Sequence, residues 1–107
     1  MRGDIHQIHL PHRGDRRQSG TRYAVVLQSD DLYLSTYLVA PTSTSHGPAP
    51  TLFRPEIIVR GEVTRVLCEQ TSALDARALG AQVGAVSSAE LSDIDRALRL
   101  LFALPGH

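Results

Sequence analysis

Lysine and tryptophan are absent from this 107-residue chain, cysteine occurs once, and aromatic residues make up only 5% of it. Each shortage excludes something. A lone cysteine, Cys68, closes no internal disulfide and builds no cysteine cluster for a metal. Its neighbours Val66 and Leu67 mark it as a small buried hydrophobe, because a reactive thiol needs an electropositive, partly exposed setting. No apolar run approaches the roughly 18 residues of a spanning helix. Residues 1–10 also lack the hydrophobic stretch of an export signal, so a cytoplasmic protein without membrane attachment is expected. Neither a GxxxxGK loop nor a GxSxG elbow is present, which excludes the common layouts for nucleotide hydrolysis and serine hydrolysis.

What is there is a soluble globular composition, 42% hydrophobic and 21% charged, with the length of a single domain over residues 1–107. A chain of this size closes one core, and dimerisation would add to its buried surface. The net charge is zero but unevenly laid out: residues 1–22 hold five arginines against two aspartates, and the remainder is acidic by the same margin. All eleven basic residues are arginine. That fits either biased codon usage or phosphate recognition by planar guanidinium groups.

Along the chain, Ile5–Leu10 alternates like a strand whose inward face cannot be chosen, and Pro11 ends it. The polar, arginine-rich stretch 12–21 reads as a loop, followed by strands over Tyr23–Leu27 and Leu34–Val39. A second loop is expected over His46–Thr51. Glu56–Val59 and Val63–Glu69 flank Arg60, Gly61 and Glu62 as a hairpin. Asp75–Leu79 suggests a short helical turn before a final strand over Gln82–Val86. Ser87 and Glu90 have capping-box spacing, and Leu91, Ile94, Leu98 and Leu101 share one helical face until Pro105 and Gly106 stop the helix. The sum is a mostly antiparallel small barrel with a closing helix.

His6, His9 and His12 recur every third residue, which on a strand sends successive rings to opposite faces rather than onto one metal. They suit acid and base roles on RNA or are ordinary surface histidines. The clearer constellation pairs Arg13, Arg16, Arg17 and Arg22, just before a core strand, with the hydroxyls of Thr42, Ser43, Thr44 and Ser45 after another. Guanidinium groups donate paired hydrogen bonds to phosphate oxygens and hydroxyls supply further donors, a combination suited to a phosphodiester.

Six segments in order resemble the MazF/PemK (Kid) toxins of type II toxin–antitoxin systems. They are Arg2-Gly3-Asp4-Ile5; Gly20-Thr21-Arg22 before the strand Ala24–Asp30; Val39-Ala40-Pro41-Thr42-Ser43-Thr44; Leu67-Cys68-Glu69-Gln70; Leu74-Asp75 with Arg77 and Leu79; and the helix Glu90–Leu104. The resemblance spans nearly the whole chain. It implies a small SH3-like antiparallel β-barrel of the CcdB/MazF type, mainly β with helices, assembled as a homodimer. It implies metal-independent, sequence-specific cleavage of single-stranded mRNA to 2′,3′-cyclic phosphate and 5′-hydroxyl ends, without a cofactor, and restraint by a MazE-like antitoxin.

By the same resemblance Arg22 falls on the family's catalytic arginine and Ser43 on its catalytic threonine, with Thr42 or Thr44 taking that role if the match shifts by one residue. Arg16, Arg17, Gln18, Ser29, Thr44, Glu69 and Gln70 fall on RNA-contacting segments. Two plainer alternatives stand beside this: Glu69 pairing with an arginine on the barrel rim, and Arg16 with Asp15 as solvated charge. Tyr23 replaces the proline usual after the arginine, which either changes the loop's exit angle or puts an aromatic surface near the RNA. Related toxins of the same fold poison gyrase through an aromatic-bearing last segment, whereas Leu101–Leu104 here reads as core or dimer contact. A catalytically degenerate toxin is the third alternative.

Overall fold

The computed structural model describes residues 1–9, 22–45 and 52–106. Among these residues seven strands, β1 (Asp4–Ile8), β2 (Arg22–Val26), β3 (Thr36–Ser43), β4 (Glu56–Val59), β5 (Glu62–Val66), β6 (Ser72–Asp75) and β7 (Leu79–Ala85), precede the helix α1 (Ser88–Phe102). They form one curled antiparallel sheet in the order β4-β5-β3-β2-β1-β7, with β6 also paired to β3. β3 serves two partners along one edge: β5 through Thr42 and Ser43, and β6 through Thr36 to Val39.

Both faces of the sheet are covered, which is why β1 showed no single inward face. Ile5 packs with Val25, Leu27, Ala40, Ile57, Val59, Val66 and Cys68 against Ile94 and Ala97 of α1. Ile8, three residues on and therefore on the opposite face, packs with Ala24, Val26 and Val39, flanked by Tyr37, Leu74 and Leu79. Fully burying a side chain such as Ile94 contributes about 1.5–3 kcal/mol.

The expected hairpin forms between β4 and β5, and its two turn residues both have positive φ, 51° at Arg60 and 81° at Gly61. That backbone twist matches the twist of the flanking strands. The expected capping box also forms: the Ser87 hydroxyl accepts from Glu90 N, and Glu90 Oε1 accepts from Ser87 N at 2.8 Å. The second Glu90 oxygen accepts from Ile58 N at 2.8 Å, tying the helix start to β4. At the other end α1 stops at Ala103, whose left-handed backbone (φ 54°) breaks the helix before Pro105 and Gly106 are reached.

Several boundaries differ from expectation for local physical reasons. β3 begins at Thr36, not Leu34, because the buried Gln28 holds the preceding loop, donating to Leu32 O at 3.3 Å and accepting from Leu38 N at 3.2 Å. β3 then continues through Pro41 to Ser43. The Pro41 carbonyl accepts from Leu67 N, and the donor proline lacks falls where Leu67 O is already taken by Gln70 N. The same 3₁₀ turn, Cys68–Gln70, ends β5 at Val66 instead of Glu69. β6 was not expected. The helical turn before β7 is a single 3₁₀ turn, Ala76–Ala78, and β7 starts at Leu79, not Gln82.

On α1, Ile94 and Ala97 are buried, Leu91 and Leu98 are half-buried, and Leu101 and Phe102, with Leu104 just past the helix end, are exposed rather than part of the core. Among the described residues, no helix is long and apolar enough to cross a membrane.

Candidate functional site

Strand pairing decides which polar residues share a surface. β2 and β3 pair with Ala24 opposite Pro41, Val25 opposite Ala40 and Val26 opposite Val39. Carried two residues outward, that register sets Arg22 across from Ser43. The Thr42 hydroxyl donates to the Tyr23 carbonyl at 3.1 Å, so the two strands stay in step beyond the last paired residues. Side chains alternate along each strand, so Arg22 shares the face of Ala24 and Val26, and Ser43 shares that of Val39. Arg22 and Ser43 therefore stand on one face of neighbouring strands, at the same level. Neighbouring strands lie ~4.8 Å apart.

The row continues on both sides. Ile8 is opposite Arg22 on β1, Arg65 is opposite Ser43 on β5, and Glu56 is opposite Arg65 on β4. Arg65 Nε lies 3.8 Å from Glu56 Oε2. Sequence reasoning missed Arg65, which sits in an apolar-looking run, and only the pairing of β5 with β3 brings it beside Ser43. Ser43 Oγ accepts from Ser45 N at 3.1 Å. One lone pair is thus engaged while the hydroxyl hydrogen can still be donated outward.

The neighbours of Ser43 take different parts. Thr42 is buried with its hydroxyl committed to Tyr23 O, while Thr44 is exposed just past the end of β3. Tyr23 packs against the cluster under α1, on the face opposite Arg22, so its ring is not beside the Arg22 row. Glu69 and Gln70 lie in the 3₁₀ turn alongside Ala40 and Pro41. Glu69 accepts from Arg54 Nε at 2.8 Å and also from Arg54 Nη2, the rim pairing that stood as its plainer alternative. Gln70 is exposed.

Ser29 is not brought into this group. It follows the far end of β2, where its hydroxyl accepts from Asp31 N at 3.1 Å. By Val26 that strand has already run ~13 Å from Arg22. Arg13, Arg16, Arg17 and Gln18 lie outside the described residues, as do His12 and the loop over His46–Thr51.

His6 is on the Arg22 face, opposite Ala24, with Nδ1 3.0 Å from Gly80 O. A carbonyl only accepts, so Nδ1 carries hydrogen and Nε2 is the acceptor in the neutral ring. Cys68 is buried, and desolvation with a smaller contribution from the Glu69 charge pushes its thiol up to about 11. Hydrogen bonds from the Arg77 side chain and backbone hold the exposed Asp75 carboxyl down at about 2. Among the described residues, no three His, Cys, Asp or Glu side chains converge on a common point.

A curled antiparallel half-barrel with one C-terminal helix, and with Arg22, Ser43 and Arg65 level on adjacent strands, defines a small, mainly β protein with a polar row across one face of its sheet. The chain belongs to the PemK-like, MazF-like toxin family of type II toxin–antitoxin systems, whose model matches residues 1–102. A relative from Mycobacterium tuberculosis (strain ATCC 25618 / H37Rv), whose name carries a provisional toxin assignment, is 40% identical over 74 residues. That match spans 65% of this chain and 65% of the relative's length.

Among solved structures, the Mycobacterium tuberculosis toxin MazF-mt6 superimposes with a TM-score of 0.77 at 18% identity, over 96% of this chain and 99% of its own. A mycobacterial endoribonuclease in complex with its cognate antitoxin gives 0.72 at 18% identity, over 100% and 96%. At such identities the likeness is one of fold.

Proposed function

We propose that the chain is a metal-independent endoribonuclease toxin that cuts single-stranded mRNA and is held in check by a cognate antitoxin. The observation that carries this reading is the common row of Arg22 and Ser43. In the reaction the RNA 2′-oxygen attacks the adjacent phosphorus as its proton departs. The bond from phosphorus to the 5′-oxygen breaks, and that oxygen takes up a proton, leaving a 2′,3′-cyclic phosphate and a 5′-hydroxyl. Arg22 neutralises the charge that builds on the phosphorane, and the Ser43 hydroxyl donates to a non-bridging oxygen. A donor of this kind is worth ~3 to 4 kcal/mol of barrier.

Arg16, Arg17, Gln18, Thr44 and Gln70 are assigned to the RNA path, with loop side chains choosing the sequence. Glu69 joins them by way of Arg54, which it orients. Ser29, at the other end of β2, is assigned to RNA outside the cleavage row. The active form is a homodimer, and an antitoxin with an acidic, flexible segment is the partner that the arginines of this site attract.

The test is incubation of the purified protein with mRNA in chelator, followed by sequencing of 5′-hydroxyl ends. Discrete cleavage by the native protein that drops about 10²–10³-fold in Arg22→Ala supports the reading. No cleavage by the native protein overturns it and leaves the degenerate toxin. A second reading, a binding toxin acting on gyrase through its last helix, draws on the exposed Leu101, Phe102 and Leu104. Inhibition of gyrase supercoiling without RNA cleavage would put that reading first.

A further inference from the structure

We propose that Arg65 is a second phosphate-binding arginine, so that Arg22 and Arg65 grip one phosphodiester from opposite sides of Ser43. The inference rests on the nuclease reading and names a further substrate-binding residue at the same site. Ser43 is the middle member of the row: Arg65 is its partner on β5, and Arg22 its counterpart on β2. With strands ~4.8 Å apart, the two arginine backbones lie ~10 Å from one another, a gap two long side chains close readily around one phosphate. Two guanidinium groups and one hydroxyl supply donors for both non-bridging oxygens, where Arg22 and Ser43 alone would hold the phosphate from one flank.

One ion partner of Arg65, the Glu56 carboxylate, suits an exchange. Glu56 lies at 3.8 Å, beyond hydrogen-bond distance, and its side chain is 51% exposed on β4 while that of Arg65 is 13% exposed. The carboxylate can swing into water as a phosphate arrives, while the arginine stem stays fixed on the sheet. Glu56 then acts as a competitor that keeps Arg65 oriented without substrate and weakens binding of RNA.

The experiment measures binding of a short fluorescein-labelled single-stranded RNA, spanning a site mapped for the native protein and carrying 2′-deoxyribose at the cleaved nucleotide, across a salt series. Arg65→Met should weaken binding about tenfold and lower the slope of log K against log salt by about 0.7, the value for one lost phosphate contact on a single strand. On cleavable RNA, kcat/KM should fall, because Arg65 holds the phosphate on which Arg22 and Ser43 act. Arg65→Lys should keep the salt slope, and Glu56→Gln should tighten binding.

Native binding with an undiminished slope in folded Arg65→Met overturns this inference alone. If Arg65→Met does not fold, Glu56→Gln decides: tighter binding supports the grip, and unchanged or weaker binding overturns it. A native protein that neither binds nor cuts RNA overturns both the nuclease reading and this one.

Discussion

The Thr42 hydroxyl donates to the Tyr23 carbonyl at 3.1 Å, and through that bond the face of the sheet under α1 sets the level at which Arg22 and Ser43 stand on the other. Thr42→Val keeps the shape and removes the donor. It should cost about 0.5–1.5 kcal/mol in urea denaturation. Cleavage should fall as well, because the ends of β2 and β3 are then freer to slip.

Ser43 contributes only its hydroxyl. Ser43→Ala should lower kcat about 100-fold with the fold intact, and Ser43→Thr, which restores the donor, should recover most of the rate. Single-turnover cleavage of one defined RNA measures both. Thr44→Ala, in the exposed position past the strand end, should change the rate far less.

Among the described residues, two that are not glycine hold left-handed backbone, Arg60 in the hairpin turn and Ala103 after the helix. Arg60→Asn and Ala103→Gly replace them with residues that tolerate positive φ. Each should stabilise the protein by up to about 1 kcal/mol, read as a rise of several degrees in Tm. Both sites lie away from the Arg22 row, so activity should be unchanged.

Cys68 holds its proton more tightly folded than unfolded, with the thiol pushed from 9.0 up to about 11. Above pH 9 the unfolded chain loses that proton first, so stability should fall as pH rises from about 9 and stop falling from this cause above about 11. Urea midpoints between pH 8 and pH 11 should show the decline, and Cys68→Ala should flatten it. Iodoacetamide should label the native thiol slowly at pH 8 and rapidly once urea unfolds the chain.

The elements legible in the sequence are those whose signals are local. Ser87 and Glu90 announce the helix start because the capping box closes within four residues, and Arg60-Gly61 announces the hairpin because its turn needs positive φ. β6 escaped notice because Ser72-Ala73-Leu74-Asp75 contains no β-branched core residue and is a strand through its pairing with β3. The passage of β3 through Pro41 depends on a distant carbonyl, that of Leu67, which Gln70 N already satisfies. The site divides in the same way: the motif around Arg22 and the hydroxyl run around Ser43 are readable along the chain, whereas Arg65 joins them only through cross-strand register.

Arg2 spans three parts of the molecule: its backbone N donates to Asp30 at 2.7 Å, its Nε to Leu27 O at 2.9 Å, and its Nη2 to Asp95 of α1 at 2.6 Å. One side chain thereby couples the end of β2 farthest from Arg22 to the closing helix. Amide protons along α1 and at that end of β2 should therefore open as a single cooperative unit, and severing the Arg2 clasp should split it into two that exchange at their own rates.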